Sequence, residues 1–285
     1  MNKPTADISI IVPNYNNGKF LGEFIESVNQ STLLPKELVI VDDGSTDNSR
    51  QVLDKYSSLH YLKVFYFEQN RGLTEALNTA LEISTGKYIM RADPDDKLDP
   101  ERIEKQVGFM LNNAHVDVLG CNVCYFNGET GKIINQSNFP TGHHEIVRRY
   151  SKGEHGIQHP TAFLRGDLYK KYRYQKIFPA EDYELFARMA FDGLIFANLE
   201  EPLYFMRVHR GSSTSNLRLK TMIQTYAFRD RIYSTHTSRW RVLTYFWHIL
   251  FYRKYQTNRF LIPKYLFLLI SSVFYPSKLV NRIFK

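Results

Sequence analysis

From its first residues the chain alternates short apolar runs with amphipathic stretches. Ile8–Val12 precedes Phe20–Gln30, Leu38–Val41 precedes Asn48–Ser57, Tyr61–Phe67 precedes Thr74–Ser84, and Tyr88–Met90 precedes Pro100–Asn112. Apolar runs of strand length separated by helices of about ten residues are the mark of consecutive βαβ units around a mostly parallel sheet. The pattern predicts an α/β fold, with a Rossmann-like sheet flanked by helices. From Val116 to about Gly211 it loosens, and the reading there is of shorter strands, loops rich in His and Gly, and one helix from about Asp182 to Ala190.

In such sheets a ligand sits in the crevice beyond the carboxyl ends of the strands, so the residues that follow each strand carry the information about chemistry. They are Pro13, Asn14, Tyr15 and Asn16; then Asp42, Asp43, Gly44 and Ser45; then Asn70, Arg71 and Gly72; then Asp93, Asp95 and Asp96. Four polar clusters are expected to converge on one edge.

The last cluster is the most demanding physically. Three carboxylates within four residues repel one another and call for a cation, and oxygen ligands suit hard ions such as Mg²⁺ or Mn²⁺, whose remaining positions a diphosphate can fill. The alternative is a solvated turn in which Asp99 caps the helix that Pro100 begins. Asp42 and Asp43 have a similar pair of readings: a turn whose Ser45-to-Asn48 segment caps the next helix, or carboxylates that accept donors from a nucleotide's base or ribose. Their emergence into the crevice favours the nucleotide.

Composition changes the picture mainly at the C-terminus. With 285 residues, 43% hydrophobic and 23% charged, the chain is long enough for one catalytic domain and an appendage. The net charge of +8 is unevenly distributed, because residues 231–285 hold ten Lys or Arg and no acid. Removing those ten from the total of 37 leaves residues 1–230 with 27 basic against 29 acidic side chains. The basicity thus belongs to the tail, and no recognition fold accompanies it, which argues against nucleic acid as a partner. Arg and Lys there interleave with Trp240, Trp247, Phe251 and other aromatics, while the longest uncharged stretch, Tyr265–Ser277, is too short to cross a bilayer. Such a tail fits an interfacial helix on anionic lipid; a helical cap on the catalytic domain or a dimer contact are the other readings. The N-terminus lacks the pattern of a secretion signal, and two cysteines are too few for a disulfide framework, so the cytoplasm is the expected compartment. Cys121 and Cys124 lack further ligands at zinc spacing and read as packing residues.

The segments Ile10–Asn16, Glu37–Asp47 and Asp93–Asp96, in this order and spacing, resemble the family 2 inverting glycosyltransferases of GT-A fold, over roughly residues 7–215. The resemblance implies that Pro13, Tyr15, Asn16, Asp42, Asp43 and Arg71 hold the nucleotide, with Asp93 facing ribose or sugar. It assigns Asp95 and Asp96 to a divalent ion, Mn²⁺ or Mg²⁺, that bridges the diphosphate, and brings His209 to the metal or diphosphate. Asp182, within Pro179–Arg188, becomes the base, with Glu181 as its fallback; a plain helix cap is the other reading of Asp182. His159 falls on the acceptor side. The implied activity is sugar transfer from a nucleotide-sugar, with uridine as the expected base, onto an acceptor hydroxyl of a glycan or lipid-linked glycan in surface-polysaccharide synthesis. A membrane-associated sugar-nucleotide binding module without turnover is the alternative. A nucleotidyltransferase would need a Gly-rich loop after the first strand, where only Gly18 occurs, and phosphate-loop and dinucleotide Gly motifs are absent. The expected division is a GT-A domain over 1–215, with a nucleotide half near 1–112 and an acceptor half near 113–215, followed by a helical extension over 216–285.

Overall fold

The computed structural model describes residues 3–177, 179–209, 218–257 and 261–274. Its framework begins with β1 (Thr5–Asn14), α1 (Gly18–Asn29), β2 (Leu34–Asp42), α2 (Ser49–Lys55), β3 (Leu62–Tyr66), α3 (Leu73–Ile83) and β4 (Tyr88–Arg91). Each helix forms where apolar residues recur at helical spacing: α1 buries Leu21, Phe24, Ile25 and Val28, and α3 buries Ala76, Leu77, Ala80 and Leu81. These stripes cover a sheet whose strands are apolar on both faces, as a doubly covered parallel sheet requires. β2 pairs in parallel with β1 and β3, and β1 pairs in parallel with β4.

The chain then forms β5 (Lys97–Leu98), α4 (Arg102–Asn112), β6 (Val118–Asn127), β7 (Ile133–Gln136), α5 (His143–Ser151), a 3₁₀ turn at His159–Thr161, β8 (Phe163–Arg165), α6 (Gly166–Tyr172), α7 (Glu181–Phe191) and β9 (Phe196–Val208). The nine strands make one sheet in the order β3-β2-β1-β4-β8-β6-β9-β5, with β7 on β6. Most register positions are parallel, the antiparallel ladders of β8, β5 and β7 being short. The α/β architecture with a mostly parallel sheet agrees with the apolar pattern.

Two local expectations need correction. The second half does not consist of shorter strands, since β6 has 10 residues and β9 has 13. The sequence hides β9 because Glu200, Glu201 and Pro202 interrupt its apolar run. The chain absorbs that interruption as a register shift opposite Asn122, leaving Pro202 beside an irregularity in the ladder. The helix after the acidic turn starts at Arg102 rather than Pro100, because Asp99 accepts from Arg102 N–H through its carbonyl and from Glu101 N–H through its carboxylate.

By contact the chain divides into Met1–Ser212 and Ser213–Lys285. The second unit contains α8 (Leu219–Ile232), α9 (Arg239–Thr257) and α10 (Leu261–Phe274). α9 and α10 pack on each other through His248, whose Nδ1 meets the Ser271 hydroxyl at 2.8 Å, and through Phe251, stacked on Phe267 and Phe274. Among the described residues no helix is long and apolar enough to cross a membrane. The expected boundary near 215 and the tail beyond Phe274 lie outside the described residues.

Two buried polar clamps hold the sheet edge in position. Arg102, fully buried, donates to the carbonyls of Arg91 and Pro160 and through Nε to Gln106, so α4 ties the end of β4 to the 3₁₀ turn. Glu37 on β2 accepts from Ser9 of β1, from Thr85 at the end of α3 and from Lys63 of β3. Burial pushes the Glu37 carboxyl up, but these donors outweigh it and bring it to about 2. Because the folded value lies below the ordinary 4.5, the clamp stabilises fully above that pH and is lost as pH falls towards 2. Glu37→Gln is therefore expected to cost about 2 kcal/mol at neutral pH, and its deficit against the parent in denaturant unfolding should shrink as pH is lowered through that window. A deficit that stays constant with pH would contradict the clamp.

Candidate active site

The carboxyl ends of β1, β2 and β4 lie side by side, since Asn14 pairs with Asp42 and Ile11 with Arg91. Asp42, almost fully buried, accepts from Asn14 Nδ2 at 2.7 Å and from Ser45 N–H at 2.9 Å. Asn16 adopts φ 55° and its side-chain oxygen takes Thr46 N–H at 2.8 Å. These bonds lock the loop after β1 to the loop after β2. Asp43 points the other way along the edge, its two oxygens accepting from Arg71 N–H at 2.6 Å and Gly72 N–H at 2.8 Å. Gly44 lets this approach happen: its φ is +69°, and a Cβ would stand 2.6 Å from the backbone carbon of Gln69. Arg71 lies over the Phe67 ring, Pro13 is buried, and Tyr15 is left half-exposed at the mouth.

Asp93, Asp95 and Asp96 occupy the turn between β4 and β5, and each offers an oxygen so that all three lie within 4.8 Å of one another. The turn is held mainly from β9. Arg207 N–H donates to Asp96 at 2.7 Å, Arg207 Nε donates to the Asp95 carbonyl at 2.7 Å, and the Tyr204 hydroxyl accepts Asp93 N–H at 2.8 Å. The Arg207 guanidinium is in turn fixed between the Phe20 and Phe126 rings and against Glu23. His209 Nε2 lies 3.0 Å from Asp95 Oδ2, with its ring 4.9 Å from that of Phe20. The residues that follow it, 210–213, lie outside the described residues.

Burial raises the Asp93 and Asp96 carboxyls, with neighbouring Asp95 adding to the rise in both, and Asp96 goes well above the usual carboxylate range. For Asp93 the buried Arg91 guanidinium pulls in the opposite direction. A set of converging oxygens in which burial and neighbouring charge disfavour the ionised forms of Asp93 and Asp96 is one that a hard divalent cation would relieve, so the residues fit Mg²⁺ or Mn²⁺.

Asp182 stands in the first turn of α7, where its carboxylate accepts the N–H of Tyr183 at 2.7 Å. It does not act as the N-cap, a position taken by Ala180 without a side-chain bond. Burial raises its carboxyl, yet His155, His159, the Tyr183 N–H and Arg91 together hold it below the ordinary range. Glu181 behaves oppositely. Burial and the Asp182 charge raise it to about 7, and its Oε2 is buried without a hydrogen-bond partner. His159 is linked to the Tyr174 hydroxyl at 2.7 Å and is held well below the usual imidazole range by burial and by Arg91. Arg91 thus acts on both the acidic turn and the start of α7.

Arg91, Tyr204, Arg207 and Glu23 are the residues that sequence reasoning passed over. Arg91 could have been suspected from its place two residues before Asp93. The others come from α1 and β9, up to 184 residues apart in the chain, and nothing local marks them. Cys121 and Cys124 are buried free thiols, in keeping with packing.

Residues 9–173 match the model of Glycosyl transferase family 2. The amylovoran biosynthesis glycosyltransferase AmsE of Erwinia amylovora is 32% identical over 230 residues, covering 78% of this chain and 85% of the relative. Among solved structures, S. aureus TarS in complex with UDP-GlcNAc superposes with a TM-score of 0.63 at 24% identity, covering 88% of this chain and 73% of TarS. The mannosyltransferase PcManGT from Pyrobaculum calidifontis, in complex with GDP-Man and Mn²⁺, gives 0.55 at 18% identity, covering 96% and 70%. With the GT-A fold matched and the family model spanning more than half of its length, the chain belongs to glycosyltransferase family 2 and is a glycosyltransferase.

Proposed function

We propose that this glycosyltransferase moves a hexosyl or N-acetylhexosaminyl unit from a UDP-sugar to a hydroxyl of a glycan or lipid-linked glycan, with inversion, in the synthesis of a cell-surface polysaccharide. The observation that carries the reading is the gathering of three carboxylates at the end of β4, on the same sheet edge as the Asp43–Arg71 clamp and in electrostatic reach of Asp182. The similar proteins support its parts: TarS binds UDP-GlcNAc, PcManGT was solved with GDP-Man and Mn²⁺, and AmsE belongs to amylovoran biosynthesis.

In this reading residues 1–112 form the nucleotide half and 113–215 the acceptor half. Pro13, Tyr15, Asn16, Asp42, Asp43 and Arg71 frame base and ribose, some by direct contact and Asn16 and Asp42 by fixing the loops. Asp93 faces the ribose or sugar. Asp95 and Asp96, with His209, hold the divalent ion, which when bound supplies positive charge to the departing diphosphate. Asp182 accepts the proton of the acceptor hydroxyl while that oxygen attacks the anomeric carbon from the face opposite the leaving group. The ionised state that this task needs is the one its neighbours favour. The enzyme works at the inner face of the cell membrane, where the basic segment 231–285 meets anionic lipid.

Release of nucleoside diphosphate across a panel of donors, with membrane extract as acceptor, tests the whole reading. Chelation should abolish transfer and Mn²⁺ or Mg²⁺ should restore it, whereas Asp95→Ala should weaken Mn²⁺ binding about 100-fold or more and leave little turnover. Full transfer by Asp95→Ala would remove the metal assignment. Asp182→Asn is expected to lower kcat by about a hundredfold to ten-thousandfold with donor binding intact. Nucleotide binding without transfer in the parent would mean a binding module.

The pH profile separates the two acids at the start of α7. With Asp182 as base, its lowered value keeps the rate flat through neutrality and confines the loss to acid. An acid limb centred near 7 that vanishes in Glu181→Gln would instead transfer the role to Glu181.

A further inference from the structure

α10 has two distinct faces. Phe267, Ser271 and Phe274, at i, i+4 and i+7, turn inward to Phe251 and His248 of α9. Leu266, Leu269 and Val273, at i, i+3 and i+7, lie roughly opposite, given about 100° per residue, and are exposed by 52%, 64% and 75%. Tyr265 is exposed beside them, and on α9 Trp240 and Trp247 are exposed as well. A row of exposed aliphatic side chains on a helix whose other face is already satisfied costs solvation unless something covers it.

The charge of the segment limits what the cover can be. Arg231, Arg239, Arg241 and Lys254 are exposed, and the sequence from 231 to 285 contains ten cations and no acid. A second copy of the same segment would bring like charges together, which disfavours self-association through this face. A surface that is both apolar in depth and negative at its rim answers both features. Trp and Tyr, which are amphipathic, are at home at the level between headgroup and acyl chain.

We infer that the outward face of α10 lies in the interface of a bilayer containing anionic lipid, with Leu266, Leu269 and Val273 entering the acyl boundary and the exposed Trp240 and Trp247 of α9 at the headgroup level. The helix hairpin rests on the membrane without crossing it. This deepens the membrane-facing part of the proposed function and is independent of its catalytic part, so each can fail alone.

The chain's two tryptophans both lie on α9, so intrinsic tryptophan emission reports on this segment alone. The full chain should float with vesicles of phosphatidylcholine mixed with phosphatidylglycerol, in a salt-weakened manner, and not with phosphatidylcholine alone, and its emission should shift to the blue on binding. Leu266→Gln combined with Leu269→Gln should weaken partitioning about tenfold without changing the thermal transition or transfer to a soluble acceptor. Arg239→Gln combined with Arg241→Gln should weaken binding and flatten its salt dependence. Failure of the parent to bind these vesicles, or binding unaffected by both double variants, would overturn the inference. So would a dimer that the leucine variant dissolves while the parent ignores vesicles, which would assign the face to a second copy.

Discussion

Crowding three carboxylates into the four residues Asp93–Asp96, just past β4, is the constraint on which the rest of the site depends. Left to themselves such groups would move apart, and at Asp93 and Asp96 burial makes the problem worse by penalising the charged form. The fold answers with backbone geometry. β9 presents the N–H of Arg207 to Asp96 and the hydroxyl of Tyr204 to the N–H of Asp93, while Arg102 of α4 holds the carbonyl of Arg91 just upstream. The turn is thus fixed from several elements that the chain does not bring together until the sheet is complete. This makes the cluster a product of tertiary structure, although its residues are contiguous.

Arg91 sets the second level of organisation. It is nearly fully buried, it pairs with Asp93, and its charge is felt by Asp182, Glu181 and His159. One cation therefore tunes groups on both sides of the crevice. It offsets part of the repulsion in the acidic turn and helps keep Asp182 ionised, while the adjacent Glu181 is raised by burial and by the Asp182 charge. Two neighbouring acids whose environments drive them apart in this way differ in charge around neutral pH, one ionised and the other in mid-titration.

What the sequence disclosed and what it concealed follow the range of the interactions involved. The four strand–helix pairs of residues 5–112 were legible because each helix stripe and each apolar strand is a local pattern, and because the residues following the strands must fall on one edge of a parallel sheet. The acidic turn and Asp182 were visible as residue types. Their supports were not: Tyr204 and Arg207 sit on a strand that Glu200, Glu201 and Pro202 disguise, and Glu23 belongs to α1, where it looks like a solvated helix position. Asp42 and Asn16 illustrate a different limit. Sequence reasoning could assign them to a nucleotide loop, but only the hydrogen bonds from the Asn14 side chain and from the Ser45 and Thr46 N–H groups reveal how the loops themselves occupy their oxygens.

The loops after β1 and β2 carry the same logic to the mouth of the site. Because Asp42, Asn16 and Ser45 spend their polar atoms on one another, the two loops form a rigid frame, and Tyr15 and Arg71 are what it leaves facing outward. Recognition of a nucleotide by such a frame needs little rearrangement, which keeps the entropic cost of ordering low. Asp43 is the exception within the frame. Its oxygens are held by the N–H groups of Arg71 and Gly72 rather than by side chains, so the position of Arg71, whose guanidinium lies over Phe67, is set directly by the acid. A change at Asp43 would therefore act on two candidate nucleotide contacts at once, and its effect could not be divided between them by single substitutions.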